Sequence, residues 1–184
     1  MPGRPIGLHV PLVADLAQHG IHLHFYGDFT HGLWREWIER AIKVASEHLH
    51  LHPNVAQDQW VSEFSQYDAG WLHFFASDNA GDLRRANWDD LNYPARIATL
   101  AVAGLPLLQR DNTGAIVATQ TLARQRDIGV EFTSMEELRT KLDDTTRMEQ
   151  LRTNVWQQRH AFMFDTHADT LIDFFRQVIA LRRG

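Results

Sequence analysis

The sequence predicts an α/β domain: a doubly wound, mainly parallel Rossmann-like sheet with helices on both faces. Three observations lead there. Helical and strand periodicities of apolar residues take turns along the chain. Several strand-like runs stop at turn residues, as at Gly27-Asp28 and Pro53-Asn54. The whole chain has 184 residues, the size of one domain and enough to bury a core. Strands alternating with helices imply right-handed βαβ units and a sheet covered on both sides.

Each element follows from its pattern. Residues 7–19 read as a helix, with Leu8, Leu12, Val13 and Leu16 on one face. Residues 21–26 alternate as a strand. Residues 32–47 form a second helix through Leu33, Trp37, Ile38, Ala41 and Val44, and a short strand covers 48–52. A short helix at 57–66 precedes an apolar strand at 69–75. Residues 77–91 are polar, without clear period, and read as a loop. The helix at 93–103 is closed by Gly104, and 105–109 is the next strand. A helix near 114–125, a strand at 128–132 and a helix at 134–142 make a further unit. Two helices, 144–158 and 166–181, end the chain, the last with Leu171, Ile172, Phe175, Val178 and Ile179 at helical spacing.

Composition narrows the function. The formal charge of −5 argues against nucleic acid, whose binding rests on neutralising phosphates. The basic residues are arginine except Lys43 and Lys141. No run approaches the roughly 18 apolar residues of a membrane span, and residues 1–5 lack the apolar core of a secretory signal. Without cysteine there are no disulfides and no cysteine metal sites. The expected location is cytoplasmic, with peripheral association at the inner membrane face as the other option.

In a doubly wound sheet the ligand sits beyond the carboxyl ends of the strands. The loops at Gly27-Asp28, 53–56, 76–93 and 110–114 are therefore the places for a site. Proline in a first helical turn, as at Tyr93-Pro94, leaves free N–H groups that favour an anion. Arg96 would add a two-pronged contact to phosphate oxygens; the bland reading is a solvated arginine after a loop.

The residues also carry a resemblance. Leu91-Asn92-Tyr93-Pro94-Ala95-Arg96-Ile97, running on into Leu100-Ala101-Val102-Ala103-Gly104-Leu105-Pro106, resembles the hallmark segment of GT-B glycosyltransferases. In that family a Pro-x-Lys or Pro-x-Arg opens a helix ending in Ala-Ala-Gly-Leu-Pro. Residues 64–70, the opening Gly3-Arg4, Ile128-Gly129-Val130 and Met135-Glu136-Glu137-Leu138 are similar to other segments of its C-terminal, nucleotide-sugar-binding domain. The resemblance implies a single donor-binding domain over 1–184. Its first strand would precede Gly3, and its N-terminal acceptor domain would lie in a missing segment or a partner chain. The resemblance implies a glycosyltransferase fragment and leaves open whether a chain of this extent is active alone.

The resemblance further implies transfer of a sugar from a nucleoside diphosphate to a hydroxyl acceptor, in polysaccharide or glycoconjugate synthesis, with neither metal nor cofactor. Candidate nucleotide and diphosphate residues are Arg4, Pro53, Val55, Tyr93, Pro94, Arg96 and Thr99. Thr99 stands where the family usually has a Glu for the ribose hydroxyls. Asn79, Asp111 and Asn112 are the sugar candidates, with Trp88 an aromatic in the same polar loop. No catalytic residue is assigned.

Two other classes stay open. His22 and His24, and likewise His48, His50 and His52, share a strand face and could chelate zinc in a metal hydrolase. Against this, no Asp or Glu stands within those runs to orient the rings. The third reading is a non-catalytic nucleotide-binding or interaction domain.

Overall fold

A computed structural model describes residues 8–27 and 34–183. The elements alternate as expected. Helix α1 (Val10–Gln18) carries a proline in its first turn, Pro11, where its missing N–H costs nothing. Strand β1 (Leu23–Tyr26), helix α2 (Trp34–Ala45) and strand β2 (Leu49–His52) follow. Helix α3 (Trp60–Phe64) leads into β3 (Gly70–His73). The polar stretch expected as loop contains a short helix, α4 (Trp88–Leu91), because Asn87 and Asp90 form a reciprocal capping box. Then come α5 (Arg96–Val102), β4 (Leu107–Arg110), α6 (Ala118–Arg126) and β5 (Gly129–Phe132). Ser134 caps α7 (Met135–Asp143) through the Glu137 N–H at 3.1 Å. Asp144 likewise caps α8 (Thr145–Gln158), and α9 (Phe164–Arg183) ends the chain.

Among the described residues every strand pairing is parallel, and the strands form two ladders rather than one: β1 with β2, and β3 with β4 and β5. The inner strands β1 and β3 face one another across a gap lined by Leu23 and His24 on one side and Gly70 and Trp71 on the other.

Side-chain alternation along the strands feeds two core layers. Leu23, Phe25, Trp71, Leu108, Val130 and Phe132 pack with α1, α2 and α7 on one face. Tyr26, Leu72 and Leu107 pack with Ile97, Leu100 and Ala101 of α5 and Ala123 of α6 on the other. Helices on both faces of parallel strands make the architecture doubly wound. Gly70 is required where β3 meets α5, since a Cβ there would lie 2.4 Å from Leu100 Cδ2.

Helix α9 stands apart from this core. From Phe164 to Arg182 all its side chains are exposed except Ala168, including Phe174, Phe175 and Ile179. The apolar residues Leu171, Ile172, Phe175, Val178 and Ile179, which the spacing places on one helix, are all exposed.

Candidate functional site at the strand carboxyl ends

The chain runs from β1 outward to β2, then crosses to β3 and continues through β4 to β5. The winding therefore reverses between β1 and β3, and the carboxyl ends there are the site such sheets offer a ligand. His73 closes β3 at that point. It is 5% exposed, and its Nε2 shares a 2.7 Å hydrogen bond with Thr119 Oγ1 at the start of α6. Burial, and then the nearby Arg96 charge, push the imidazole down to about 4.

Arg96 thus lies where the sequence places it, close to the end of β3, but its setting differs from the expectation. The helix begins at Arg96 itself, not at Tyr93. The N–H groups of Ile97 and Ala98 are taken by the carbonyls of Pro94 (3.0 Å) and Ala95 (3.2 Å). An anion here would meet the guanidinium more than a row of helix donors. Arg96 is half-buried, and burial lowers its pKa.

The polar loops beyond β3 and β4 are knitted together. Ser77 N–H donates to Asn112 Oδ1 at 2.8 Å, and Asn112 Nδ2 donates to the carbonyls of Phe75 (3.2 Å) and Arg110 (3.3 Å). The Asn112 N–H meets Gln120 Oε1 at 2.7 Å. Asn79 is fully buried: its Nδ2 donates to Ile116 O, and its Oδ1 accepts from the N–H groups of Gly81 and Ile116. Both asparagines expected to face a sugar instead hold the loop backbone, because buried amides need partners. Asp111 is more open. Its Oδ1 accepts from Thr113 N (2.8 Å), Thr113 Oγ1 (2.7 Å) and Arg124 Nη2 (3.1 Å). Burial pushes this carboxyl up, but Thr113 and Arg124 hold it below the usual range. Asp90 is buried beneath the same loop and accepts from the Asn87 N–H at 2.9 Å.

The other candidates are spread around this rim. Tyr93 is exposed and Pro94 half-buried. Thr99 is buried on the inward face of α5. Pro53 is exposed beyond β2, whereas Val55 packs on the second core layer and its carbonyl accepts from Trp60 Nε1 at 3.1 Å. Trp88 is 78% exposed. Arg4 and Asp28 lie outside the described residues. His73, Gln109, Thr119 and Gln120 were not singled out by sequence. The available signal was a His and a Gln inside strands that are otherwise apolar, where a buried polar side chain demands a partner.

The histidines of β1 and β2 stand in register, His24 opposite His50 and Tyr26 opposite His52. Their rings pair with one another. His22 Nδ1 is 2.9 Å from His50 Nε2, His24 Nδ1 is 3.0 Å from His52 Nε2, and His24 stacks on His50 with centroids 4.4 Å apart. Burial, and then the charges of His50 and His52, push His24 down to about 4. Among the described residues no group of three or more His, Asp or Glu is arranged to hold a metal ion. Nor, among them, is any helix long and apolar enough to cross a membrane.

This arrangement has solved counterparts. Over 97% of its length the chain is similar to AviGT4, a glycosyltransferase involved in avilamycin A biosynthesis, at 12% identity and a TM-score of 0.58. Over 96% of its length it is similar to TarM, at 11% identity and a TM-score of 0.55. The fold is that of one Rossmann-like half of the GT-B architecture. The chain spans 50% of the AviGT4 chain and 34% of the TarM chain. No protein-family model matches the sequence, and no curated protein does.

Proposed function

We propose that this GT-B half is the donor side of a glycosyltransferase, binding a nucleoside-diphosphate sugar at the carboxyl ends of β1 and β3. The observation that carries the reading is Arg96. It is a half-buried guanidinium beside His73, at the point where the winding reverses. In the reaction, the bond between the anomeric carbon and the diphosphate oxygen breaks. A bond from that carbon to an acceptor hydroxyl forms, and the hydroxyl proton passes to a base. Charge collects on the departing diphosphate, and Arg96 supplies the stabilising cation without need of a metal. Arg4 is the second candidate for that role, through the resemblance noted above. Asp111 is the carboxylate best placed among the sugar candidates to accept from a hydroxyl.

The acceptor, and the base that activates it, belong in this reading to a companion half. The apolar face of α9, with Leu171, Phe175 and Val178 exposed, supports such a docked companion. Sugar transfer in polysaccharide or glycoconjugate assembly is the role proposed for the pair.

A thermal-shift screen of nucleoside diphosphates tests this reading. A ligand that binds the folded chain raises its apparent stability by mass action, about 2.7 kcal/mol at a hundredfold excess over Kd. A rise with one or two nucleoside diphosphates is expected. No shift with any of them would remove the donor-site reading and leave an interaction domain.

A further inference from the structure

The histidines of β1 and β2 have no part in the donor reading, yet their rings follow a regular order. Rings that stand opposite one another pack together: His22 and His48 with centroids 4.6 Å apart, His24 and His50 at 4.4 Å, Tyr26 and His52 at 4.6 Å. Along the diagonal, nitrogens meet. His22 Nδ1 is 2.9 Å from His50 Nε2, and His24 Nδ1 is 3.0 Å from His52 Nε2. The two rungs differ in setting. Both rings of the inner one are half-buried, whereas the outer one includes the exposed His22.

We propose that the outer rung, His22 with His50, is a binding site for a divalent transition-metal ion of the copper(II) and nickel(II) class. Two imidazole nitrogens would hold the ion, and water would complete its shell. The spacing selects the ion. With metal–nitrogen bonds of ~2.0–2.1 Å, nitrogens 2.9 Å apart subtend about 90° at an ion between them. Neighbouring corners of a square or an octahedron meet at that angle, the geometry copper(II) and nickel(II) take with nitrogen ligands. A tetrahedral zinc ion would need the same nitrogens about 3.3 Å apart.

The lone pairs are within reach. Two ring nitrogens share a hydrogen only if one of them accepts, so the rung already presents one unprotonated nitrogen. The ion frees the other by displacing the shared proton to the second nitrogen of its own ring, which stays neutral. A metal-bound imidazole is usually oriented by a carboxylate or carbonyl. Here ring packing does that: His50 lies against His24, which is itself backed by Tyr67 at 4.5 Å, and His22 lies against His48. The exposed side of His22 leaves room for the water ligands that the inner rung lacks.

No group of three ligands stands among the described residues, so this is an exchangeable seat rather than a closed zinc centre. An ion there would brace β1 against β2 at the amino end of the ladder. Arg96 and the donor site lie at the carboxyl ends, so the ion would take no part in sugar transfer.

The test is a calorimetric titration of nickel(II) chloride into the intact, chelator-treated chain, with zinc(II) chloride in a parallel run. One nickel ion per chain is expected, bound about tenfold more tightly than zinc. His22→Gln, at an exposed position, should weaken nickel binding tenfold or more with unchanged circular dichroism. His160→Gln combined with His167→Gln should leave it unchanged. In nuclear magnetic resonance spectra of the unmutated chain, a trace of copper(II) should broaden the ring signals of His22 and His50 before those of His73 and His160. That measurement decides alone if His22→Gln does not fold. Absence of nickel binding, unchanged affinity in His22→Gln, zinc bound as tightly as nickel, or broadening that spares His22 and His50 would each overturn the proposal. No nucleotide is used, so the donor reading stands or falls separately.

Discussion

His73 Nε2 and Thr119 Oγ1 lie 2.7 Å apart, tying the carboxyl end of β3 to the first turn of α6. The bond crosses 46 residues of sequence and sits beside Arg96, so it joins three elements at the floor of the candidate site. It also makes the fold sensitive to acid, since the ring is held neutral.

His73 titrates at about 4 in the fold, against 6.5 for the free side chain. A depressed histidine pKa means that the unfolded chain binds the proton first. The stability this confers is therefore complete above pH 6.5 and is lost as pH falls towards 4. At roughly 1.4 kcal/mol per unit, the loss attributable to His73 over the whole window is on the order of 3 kcal/mol. His24 acts in the same direction and over the same window. Urea unfolding at pH 7, 5.5 and 4.5 should show this decline, and His73→Asn should flatten part of it. A wild-type midpoint that stays constant across that range contradicts the assignment.

Arg96→Ala should weaken binding of uridine or guanosine diphosphate. A charge-assisted hydrogen bond contributes roughly 1.5–3 kcal/mol, or about one to two decades of affinity. Arg96→Lys should recover part of the loss, since it keeps the charge without the fork. Titration calorimetry of the three proteins decides this. With Arg96 removed, the His73 pKa should also rise, because the arginine charge contributes to depressing it. Nuclear magnetic resonance titration reads that shift without any nucleotide.

Gly70→Ala should destabilise the fold by about 1–3 kcal/mol, the usual range for overpacking. The new Cβ would fall 2.4, 2.6 and 2.8 Å from Cδ2, Cδ1 and Cγ of Leu100. Combining it with Leu100→Ala should cost less than the two single changes added together, since the second removes the clash. Additive losses in denaturant melts would show that β3 and α5 do not meet there.

Deleting residues 169–184 should leave the stability of the remaining chain within about 0.5 kcal/mol, as expected where exposed side chains are removed. The same deletion should raise solubility by removing Phe174, Phe175 and Ile179, each more than half exposed. Unfolding midpoints and light scattering measure the two effects. A large drop in stability would mean that α9 packs on this chain rather than on a companion.

What the sequence determined is local and periodic. Leu23, Phe25, Trp71, Leu108 and Val130 alternate with neighbours of the opposite core layer, so the strands and their two buried faces follow from side-chain period alone. A helix stands between each pair of successive strands, and such crossovers make the pairing parallel. The Pro94 turn before a helix was legible from its turn residues, whereas Arg96 was singled out through the resemblance to GT-B glycosyltransferases. The tertiary structure decided everything that rests on partners distant in the chain. Asn79 reaches Ile116 across 37 residues, and Ser77 reaches Asn112 across 35, so no local pattern could reveal that these amides hold a loop. Nor could periodicity show that the sheet divides between β1 and β3. Every strand keeps its own pattern whether or not a neighbour is seated beside it, and only the placement of the two ladders exposes the gap.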